Sequence, residues 1–184
     1  MMIDYVTLML VNMAAALIVL AIFLWTNPDR PETKHWAPAF AICGLVATIS
    51  GFAMVFTWPI PAPYSMAYGE MSVLLGVLFL GAAWALAAGW KLLALGYYAF
   101  VPGLVAILLG IRIIHLSLTG SPIIAGAGFI LTGLGGVGAA LTLRRPDLKF
   151  LRLLGALVML TAAAIWVLIG FMAYWMHMVP PTPQ

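Results

Sequence analysis

The segment Trp58-Pro-Ile-Pro-Ala-Pro-Tyr-Ser-Met-Ala-Tyr-Gly-Glu70 separates two long apolar runs and decides how the chain is divided. Its three prolines interrupt any helix, because proline lacks a backbone N–H and its ring clashes with the preceding turn. We therefore expect one helix to end near Trp58 and the next to begin only at about Ser65. The segment also brings aromatic side chains and the carboxylate of Glu70 to one end of both helices.

The composition of the chain is that of a membrane protein. Of its 184 residues, 65% are hydrophobic and 7% are charged, whereas soluble domains carry about 25% charged residues. The apolar runs are long enough to cross a bilayer as helices, and the alternation typical of a β-barrel is absent. The N-terminus lacks the basic segment of a secretory signal, so we expect the first apolar run to be retained.

Charge and cysteine content exclude two further classes. A net charge of +3, without basic runs interleaved with aromatic residues, argues against nucleic acid as a partner. Cys43 is the single cysteine, so neither an intrachain disulfide nor a cysteine-based metal cluster can form.

We predict an all-α, polytopic membrane protein whose six transmembrane helices form a compact bundle. Residues 1–184 make a single transmembrane domain, and proline, glycine and charged turns divide it. Pro102 lies inside the fourth helix and predicts a kink. The spans are predicted at about 5–26, 36–58, 67–89, 92–118, 123–143 and 153–179.

Basic residues in the loops fall on one face of the predicted bundle. They follow the first, third and fifth spans, and the loops on the other face contain no Lys or Arg. Cytoplasmic loops carry such an excess of basic residues, so both termini and the segment 58–70 are predicted to be extracytoplasmic. The basic loop residues are Arg30, Lys34, Lys91, Arg144, Arg145, Lys149 and Arg152.

An offset of 59 residues, applied without a gap, aligns the second and third spans with the fourth and fifth. Gly44-Leu-Val-Ala47 then matches Gly103-Leu-Val-Ala106. The same offset pairs Gly51 with Gly110, Pro63 with Pro122, Gly69 with Gly128, Leu75 with Leu134 and Gly76 with Gly135. This register favours a tandem repeat of helix hairpins, and chance matching of common small residues is the alternative.

Small residues give two spans a face suited to close helix packing. In the fifth span they recur at every fourth position, at Gly128, Thr132, Gly136 and Ala140. Gly44, Thr48 and Gly51 give the second span a shorter version. Small residues let helix backbones approach within a bilayer. These faces either pack within one chain or dock a second subunit.

Five ionisable residues lie outside the basic loops, and the predicted topology places all of them toward the outer face: Asp4, Glu70, Arg112, His115 and His177. Tyr64 and Tyr68 share this layer. Acidic residues lie at helix N-termini and the others near C-termini, as the helix dipole favours. An ion pair between Glu70 and Arg112 is the single interaction that we expect, joining the third and fourth spans.

A metal or haem site is the alternative use of these polar residues. His115 and His177 from two helices would supply axial haem ligands, and with Glu70 they would form a two-histidine, one-carboxylate iron set. No His-x-x-His or Glu-x-x-His spacing supports either site. The methionines, including those of Met176-His-Met178, are spread over all spans and indicate packing rather than copper binding. No nucleophile–base motif indicates an enzyme.

Thr57–Glu70, followed by Leu74-Leu-Gly76 and Gly110-Ile-Arg-Ile113, resembles a prokaryotic family of small polytopic membrane proteins, domain of unknown function 981. The resemblance runs from about the second span into the fifth. It implies a multi-span bacterial or archaeal membrane protein, and it brings no activity, cofactor or catalytic residue.

Three functions follow as hypotheses. The first is a non-enzymatic accessory or structural subunit of a larger plasma-membrane assembly, for instance a redox one, with other membrane subunits or a second copy as partners in the lipid bilayer. The second is a haem- or metal-binding redox protein. The third is a channel or carrier for a small neutral solute, because charged residues are absent from the middle of the spans.

Overall fold

The computed structural model of the protein describes residues 5–26 and 33–178. Regular structure in this part of the chain is helical throughout, and six helices are long and apolar enough to span a membrane. These are α1 (Tyr5–Thr26), α2 (Ala37–Thr57), α3 (Ala62–Ala88), α4 (Leu93–His115), α5 (Pro122–Arg144) and α6 (Lys149–His177). A short 3₁₀ turn, Lys34–Trp36, leads into α2. The prediction of an all-helical chain with six long apolar helices is confirmed.

The helix after the proline-rich segment begins earlier than the prolines suggest. Pro61 caps it and Pro63 lies in its first turn, so α3 starts at Ala62. The N–H groups of a first turn have no acceptor within the helix, and proline there sacrifices no hydrogen bond. The prediction that the prolines prevent helix until about Ser65 is therefore wrong. Residues Ser65–Glu70 form a π-helical turn within α3.

The helices pack as three antiparallel pairs. The hairpins α2–α3 and α4–α5 are two of them, and α6 closes the bundle by packing against α1. Neighbouring pairs meet through α1 with α2 and α5 with α6, whereas α3 and α4 touch only lightly. The "basic end" of the bundle holds Lys34, Lys91, Arg144, Arg145, Lys149 and Arg152; the "proline end" holds residues 58–64 and the α4–α5 turn, residues 116–121.

Glycines at a spacing of seven bring α2 and α3 into backbone contact. A Cβ on Gly44 would lie 2.7 Å from the backbone nitrogen of Leu80, and one on Gly51 would lie 2.7 Å from that of Val73. Both distances are too short for a real carbon atom, so only glycine fits. A seven-residue spacing keeps the contact line on one face of each helix. The line consists of Ala37, Gly44 and Gly51 on α2 and Gly69, Gly76 and Ala83 on α3.

The α4–α5 pair uses the same arrangement. A Cβ on Gly103 would lie 2.7 Å from the backbone nitrogen of Val137, and one on Gly110 would lie 2.6 Å from the carbonyl oxygen of Gly126. The contact line again follows a seven-residue spacing on both helices. It consists of Gly96, Gly103 and Gly110 on α4 and Gly126, Gly133 and Ala140 on α5.

Small residues at the same spacing also line the α6–α1 pair. Ala156, Ala163 and Gly170 on α6 and Thr7, Ala14 and Ala21 on α1 are all buried. A Cβ on Gly170 would lie 3.2 Å from Cγ2 of Val11. The distance from the added Cβ to the facing helix is longer here than in the other two pairs. This agrees with the sequence, because alanines replace most of the glycines in this pair. The three pairs thus share one pattern of small residues.

The contacts define a register that differs from the ungapped alignment. Gly44 lies against Gly76 as Gly103 lies against Gly133. The offset is therefore 59 residues between α2 and α4 but 57 between α3 and α5. The ungapped pairing of Gly76 with Gly135 is wrong, because the segment between α2 and α3 is longer. A Cβ on Gly135 would instead meet the side chain of Met159 on α6.

The predicted small-residue face of α5 divides between two neighbours. Gly128 lies against Trp166 of α6, where a Cβ would be 3.0 Å from the ring, whereas Gly136 and Ala140 lie against α4. A step of four residues turns an α-helix by about 400°, so a four-residue spacing drifts by about 40° per step. The prediction of a single face is wrong for this reason. All of these residues, and Gly44 and Gly51 on α2, pack within the chain.

Candidate functional site

The polar residues of the proline end do not form the predicted ion pair. Glu70 is exposed and makes no salt bridge to Arg112, whose Nη1 lies 3.3 Å from Nδ1 of His115. The helices that carry the two charges belong to different pairs, and α3 and α4 touch only lightly. The pairing of helices therefore keeps Glu70 and Arg112 apart.

The predicted two-histidine, one-carboxylate set of an iron site is not assembled either. His115, His177 and Glu70 are all exposed on three different helices. Within residues 5–26 and 33–178, no three His, Cys, Asp or Glu side chains lie close enough together to hold a metal ion. Asp4 lies outside the described residues.

The two tyrosines of this layer hold the proline end together. The Tyr64 hydroxyl donates a hydrogen bond to the carbonyl oxygen of Leu118, which ties the start of α3 to the α4–α5 turn. The half-buried ring of Tyr68 packs against Phe129, with ring centroids 5.7 Å apart. These contacts give both residues a structural role.

The interior of the bundle contains a cavity of about 450 Å³. All six helices contribute to its wall, which is almost entirely apolar. Ligand cavities in proteins fall in the range of about 300–1,000 Å³. The space is thus large enough for a small organic molecule, and its wall suits an apolar one.

Glycines of α5 leave this space open. Gly133, Gly135, Gly136 and Gly138 all line the cavity and place no side chain in it. The glycine-rich run of residues 133–138 is the sequence signal for this open space, although the spacing of its glycines by itself predicts only helix packing. Not every glycine of this run is required by a close contact between helix backbones. The additional glycines indicate a space beside the interface.

Aromatic side chains close the cavity toward the proline end. Trp166, which is 1% exposed, packs edge-to-face on Phe129 with ring centroids 5.2 Å apart. Its Nε1 donates a hydrogen bond of 3.1 Å to Oγ1 of Thr132, and that hydroxyl in turn donates to the carbonyl oxygen of Gly128. The polar atoms in this part of the wall are thereby satisfied, and the surface they present to the cavity is apolar.

From the exposed residues in its lining, we infer that the cavity opens sideways between α5 and α6. Three leucines line it and are also on the surface, being 47%, 56% and 45% exposed: Leu134, Leu141 and Leu154. Gly138, on the same face of α5, has no atom within 4 Å of a Cβ position. This opening, which we call the lateral mouth, lies in the half of the bundle nearer the basic end.

Arg152 lies at the basic end and is not among the residues that line the cavity. Its Nη1 is 3.4 Å from the carbonyl oxygen of Leu24, while its Nε is buried and has no hydrogen-bond partner in the part of the chain that the structure describes. Leu24, whose carbonyl oxygen it contacts, and Leu151, the preceding residue on α6, both line the cavity. The guanidinium of Arg152 is therefore directed at the end of α1 rather than into the cavity.

The fold and the cavity define a class of protein: a bundle of six membrane-length helices enclosing an apolar chamber. The chain belongs to the family described as "Protein of unknown function (DUF981)", which matches residues 1–179. The predicted family is thus confirmed, and the match extends beyond the second to fifth spans to all six helices. No curated protein and no solved structure matches the chain.

Proposed function

We propose that this protein is a multi-pass protein of a prokaryotic plasma membrane that binds a small apolar molecule drawn sideways from the bilayer. The observation that carries the proposal is the apolar cavity of about 450 Å³ with its lateral mouth between α5 and α6. It develops the hypothesis of a carrier for a small neutral solute, which required an open space within the bundle.

The wall of the cavity supports an apolar occupant. Water does not fill an apolar cavity. While the cavity is empty, the atoms that line it therefore lack van der Waals partners. A molecule dissolved in the bilayer gains those contacts without crossing water. Because the mouth is lined by exposed leucines, entry requires no polar group to lose its hydration.

The proposed orientation places the basic end in the cytoplasm and both termini outside. It is supported by the six described basic residues gathered at that end and by the preference of cytoplasmic loops for Lys and Arg. The lateral mouth would then open to the cytoplasmic half of the bilayer.

Blocking the mouth tests the proposal. Leu154→Trp places a larger side chain in the cavity wall, whereas Leu157→Trp puts the same side chain on a more exposed position of α6 that does not line the cavity. Purified protein in detergent is titrated with a fluorescent apolar probe such as 1,6-diphenylhexatriene. We expect saturable binding, lost by at least tenfold in Leu154→Trp and retained in Leu157→Trp. Equal binding by both variants would refute the proposal.

The role of accessory subunit is a second proposal, supported by the short connections between helices, which leave little of the described chain outside the bundle. The small-residue faces of α2 and α5 no longer support it, since they pack within the chain and the alternative of docking a second subunit is not needed to cover them. Purification in mild detergent tests it, and a lone monomer without a co-purifying partner would contradict it. His115, His177 and Glu70 do not form a three-residue metal-binding group, so the iron-site alternative has no support among the described residues.

A further inference from the structure

The six helices form a ring around the cavity and follow one another around it in chain order. Each helix meets the helices before and after it in the chain, and α6 packs against α1 to close the ring. All six contribute to the cavity wall. The ring therefore has six junctions between helices, and the contacts at each junction decide which part of the wall yields to an occupant.

Specific contacts fix five of these junctions. The α2–α3, α4–α5 and α6–α1 junctions each contain a line of small residues that packs the two helices closely. At the α1–α2 junction, Nδ2 of Asn12 donates a hydrogen bond of 3.0 Å to the carbonyl oxygen of Cys43. At the α5–α6 junction, the indole of Trp166 donates to Thr132. Separating the helices at any of these five junctions breaks a hydrogen bond or a close-packed line of contacts.

The α3–α4 junction lacks such a contact. Between these two helices, both of which the structure describes in full, no hydrogen bond, ion pair or ring contact is made. They approach each other through a side chain, because a Cβ on Gly81 of α3 would lie 3.0 Å from Cδ2 of Leu95 on α4. A leucine side chain changes rotamer at small cost, whereas a backbone contact has no such freedom.

The α3–α4 junction is tied only at its two ends. At the basic end, the turn of residues 89–92 joins the two helices. At the proline end, the Tyr64 hydroxyl of α3 donates a hydrogen bond to the carbonyl oxygen of Leu118, which lies just after α4. Between these ends, Leu78 of α3 and Ala99 of α4 line the cavity. The middle of this junction is thus a stretch of cavity wall that bows outward without breaking a tie.

The bilayer that the proposed function assumes lowers the cost of this movement. Lipid tails are as apolar as leucine, so no hydrophobic penalty opposes the separation of two helices within a membrane. The remaining cost is the loss of van der Waals contacts across the junction. A molecule in the cavity replaces those contacts with its own.

We propose that the α3–α4 junction is the adaptable wall of the cavity and lets the site accept apolar molecules of different widths. A narrow occupant leaves Leu95 against Gly81, whereas a wider one pushes the middle of α4 away from α3. The junction thereby sets the upper limit on the width of the ligand. This inference rests on the proposed function, because it needs the cavity to be a binding site.

A disulfide bond across the junction tests this role. Gly81→Cys and Leu95→Cys are combined in a chain that carries Cys43→Ala. The control bond, in the same background, joins Leu10→Cys with Gly170→Cys across α6–α1, where a Cβ on Gly170 would lie 3.4 Å from that of Leu10. Each full-length variant in detergent is titrated, both reduced and oxidised, with two fluorescent apolar probes. These are anthracene and the wider 9,10-diphenylanthracene, which contains the same ring system.

The two probes are expected to respond differently to the bond. Oxidation of the α3–α4 pair should weaken the binding of 9,10-diphenylanthracene at least tenfold and leave the affinity for anthracene unchanged, and oxidation of the control pair should change neither. Comparing each variant with its own reduced form removes the effect of the substitutions. If the oxidised α3–α4 pair retains both probes or loses both, the inference is overturned while the proposed function stands. If neither probe binds saturably to any variant, the cavity is not a binding site and both proposals fail.

A distance measurement tests the same movement without a cross-link. Nitroxide labels on Val77→Cys and Tyr98→Cys, at exposed positions of α3 and α4, report the width of this junction. Labels on Leu8→Cys and Leu168→Cys, at exposed positions of α1 and α6, report the control junction. Both pairs are made in the chain without its native cysteine. We expect bound 9,10-diphenylanthracene to lengthen the first distance and to leave the second unchanged. An unchanged first distance with the wide probe bound would overturn the inference.

Discussion

Gly44 and Gly76 meet reciprocally: a Cβ on either residue would lie 2.9 Å from the carbonyl oxygen of the other. A Cβ on Gly76 would also lie 2.6 Å from the backbone nitrogen of Thr48. Besides side-chain atoms of Thr48 and Leu80, the atoms in the way are backbone atoms, which cannot rotate aside as a side chain can. The α2–α3 pair therefore depends on the absence of a single carbon atom at each of these positions.

We predict that Gly76→Ala destabilises the protein more than the same added methyl group does at a helix position with free space. The added methyl group forces α2 and α3 apart, and overpacking of this kind typically costs about 1–3 kcal/mol. Thermal unfolding in detergent, followed by circular dichroism, measures the loss. Gly138→Ala is the matched control, because a Cβ there meets nothing within 4 Å. Equal melting temperatures for the two variants would show that the backbone contact is not what holds the pair.

Two glycines two positions apart on α5 test the register of the hairpins. A Cβ on Gly133 would lie 2.9 Å from the backbone nitrogen of Ile107, whereas one on Gly135 would meet only the flexible end of Met159. We predict that Gly133→Ala lowers the melting temperature clearly more than Gly135→Ala, by an amount similar to Gly76→Ala. The reverse order would support the ungapped alignment, in which Gly135 is the counterpart of Gly76.

Sequence reasoning found the helices and missed how they pair. Long apolar runs and charged turns are local signals, so the six long apolar helices could be predicted. The predicted Glu70–Arg112 ion pair depends on which helices are neighbours. No local signal in the sequence indicates that α3 packs against α2 rather than α4. The seven-residue spacing of Gly96, Gly103 and Gly110 was a readable signal for that pairing.

The cavity was harder to predict for a physical reason. A gap arises from what several helices fail to fill together, and no single segment of sequence records it. The α3 boundary illustrates a smaller difficulty: Pro63 stops a helix in its interior but is tolerated in a first turn. The same residue thus predicts opposite boundaries, depending on where the helix is taken to begin.

The Trp166–Thr132 hydrogen bond holds α6 against α5 beside the cavity, at 3.1 Å. We predict that Thr132→Val, which removes the acceptor but keeps the volume, destabilises the protein by about 1 kcal/mol, in line with hydrogen bonds between membrane helices. Thr132→Ser, which keeps the hydroxyl, should lose less. Chemical unfolding in mixed detergent measures both. If valine is as good as serine, the indole N–H finds another partner and the bond is dispensable.

Tyr64 is expected to control local opening at the proline end. Tyr64→Phe removes the hydrogen bond to the carbonyl oxygen of Leu118 and leaves that turn held by its own backbone bonds and by the packing of Leu118 on the core. We predict faster hydrogen exchange in residues 116–121 and little change elsewhere, as measured by mass spectrometry. Tyr98→Phe, at a tyrosine that is 50% exposed on α4, is the control. Unchanged exchange in the turn would mean that packing of Tyr68 on Phe129 suffices.

Orientation can be tested without altering a single charged residue. Cys43 is buried, and replacing it with alanine leaves a chain in which one new cysteine reports its own side of the membrane. Gly120→Cys lies in the exposed α4–α5 turn at the proline end, and Leu148→Cys lies in the basic α5–α6 turn. We predict that a membrane-impermeant maleimide labels Gly120→Cys in intact bacterial cells and labels Leu148→Cys only after permeabilisation. Every Lys and Arg is retained in both variants, so the distribution of charge that sets topology is undisturbed. Labelling of Leu148→Cys in intact cells, with Gly120→Cys protected, would place the basic end outside and would move the lateral mouth to the opposite leaflet.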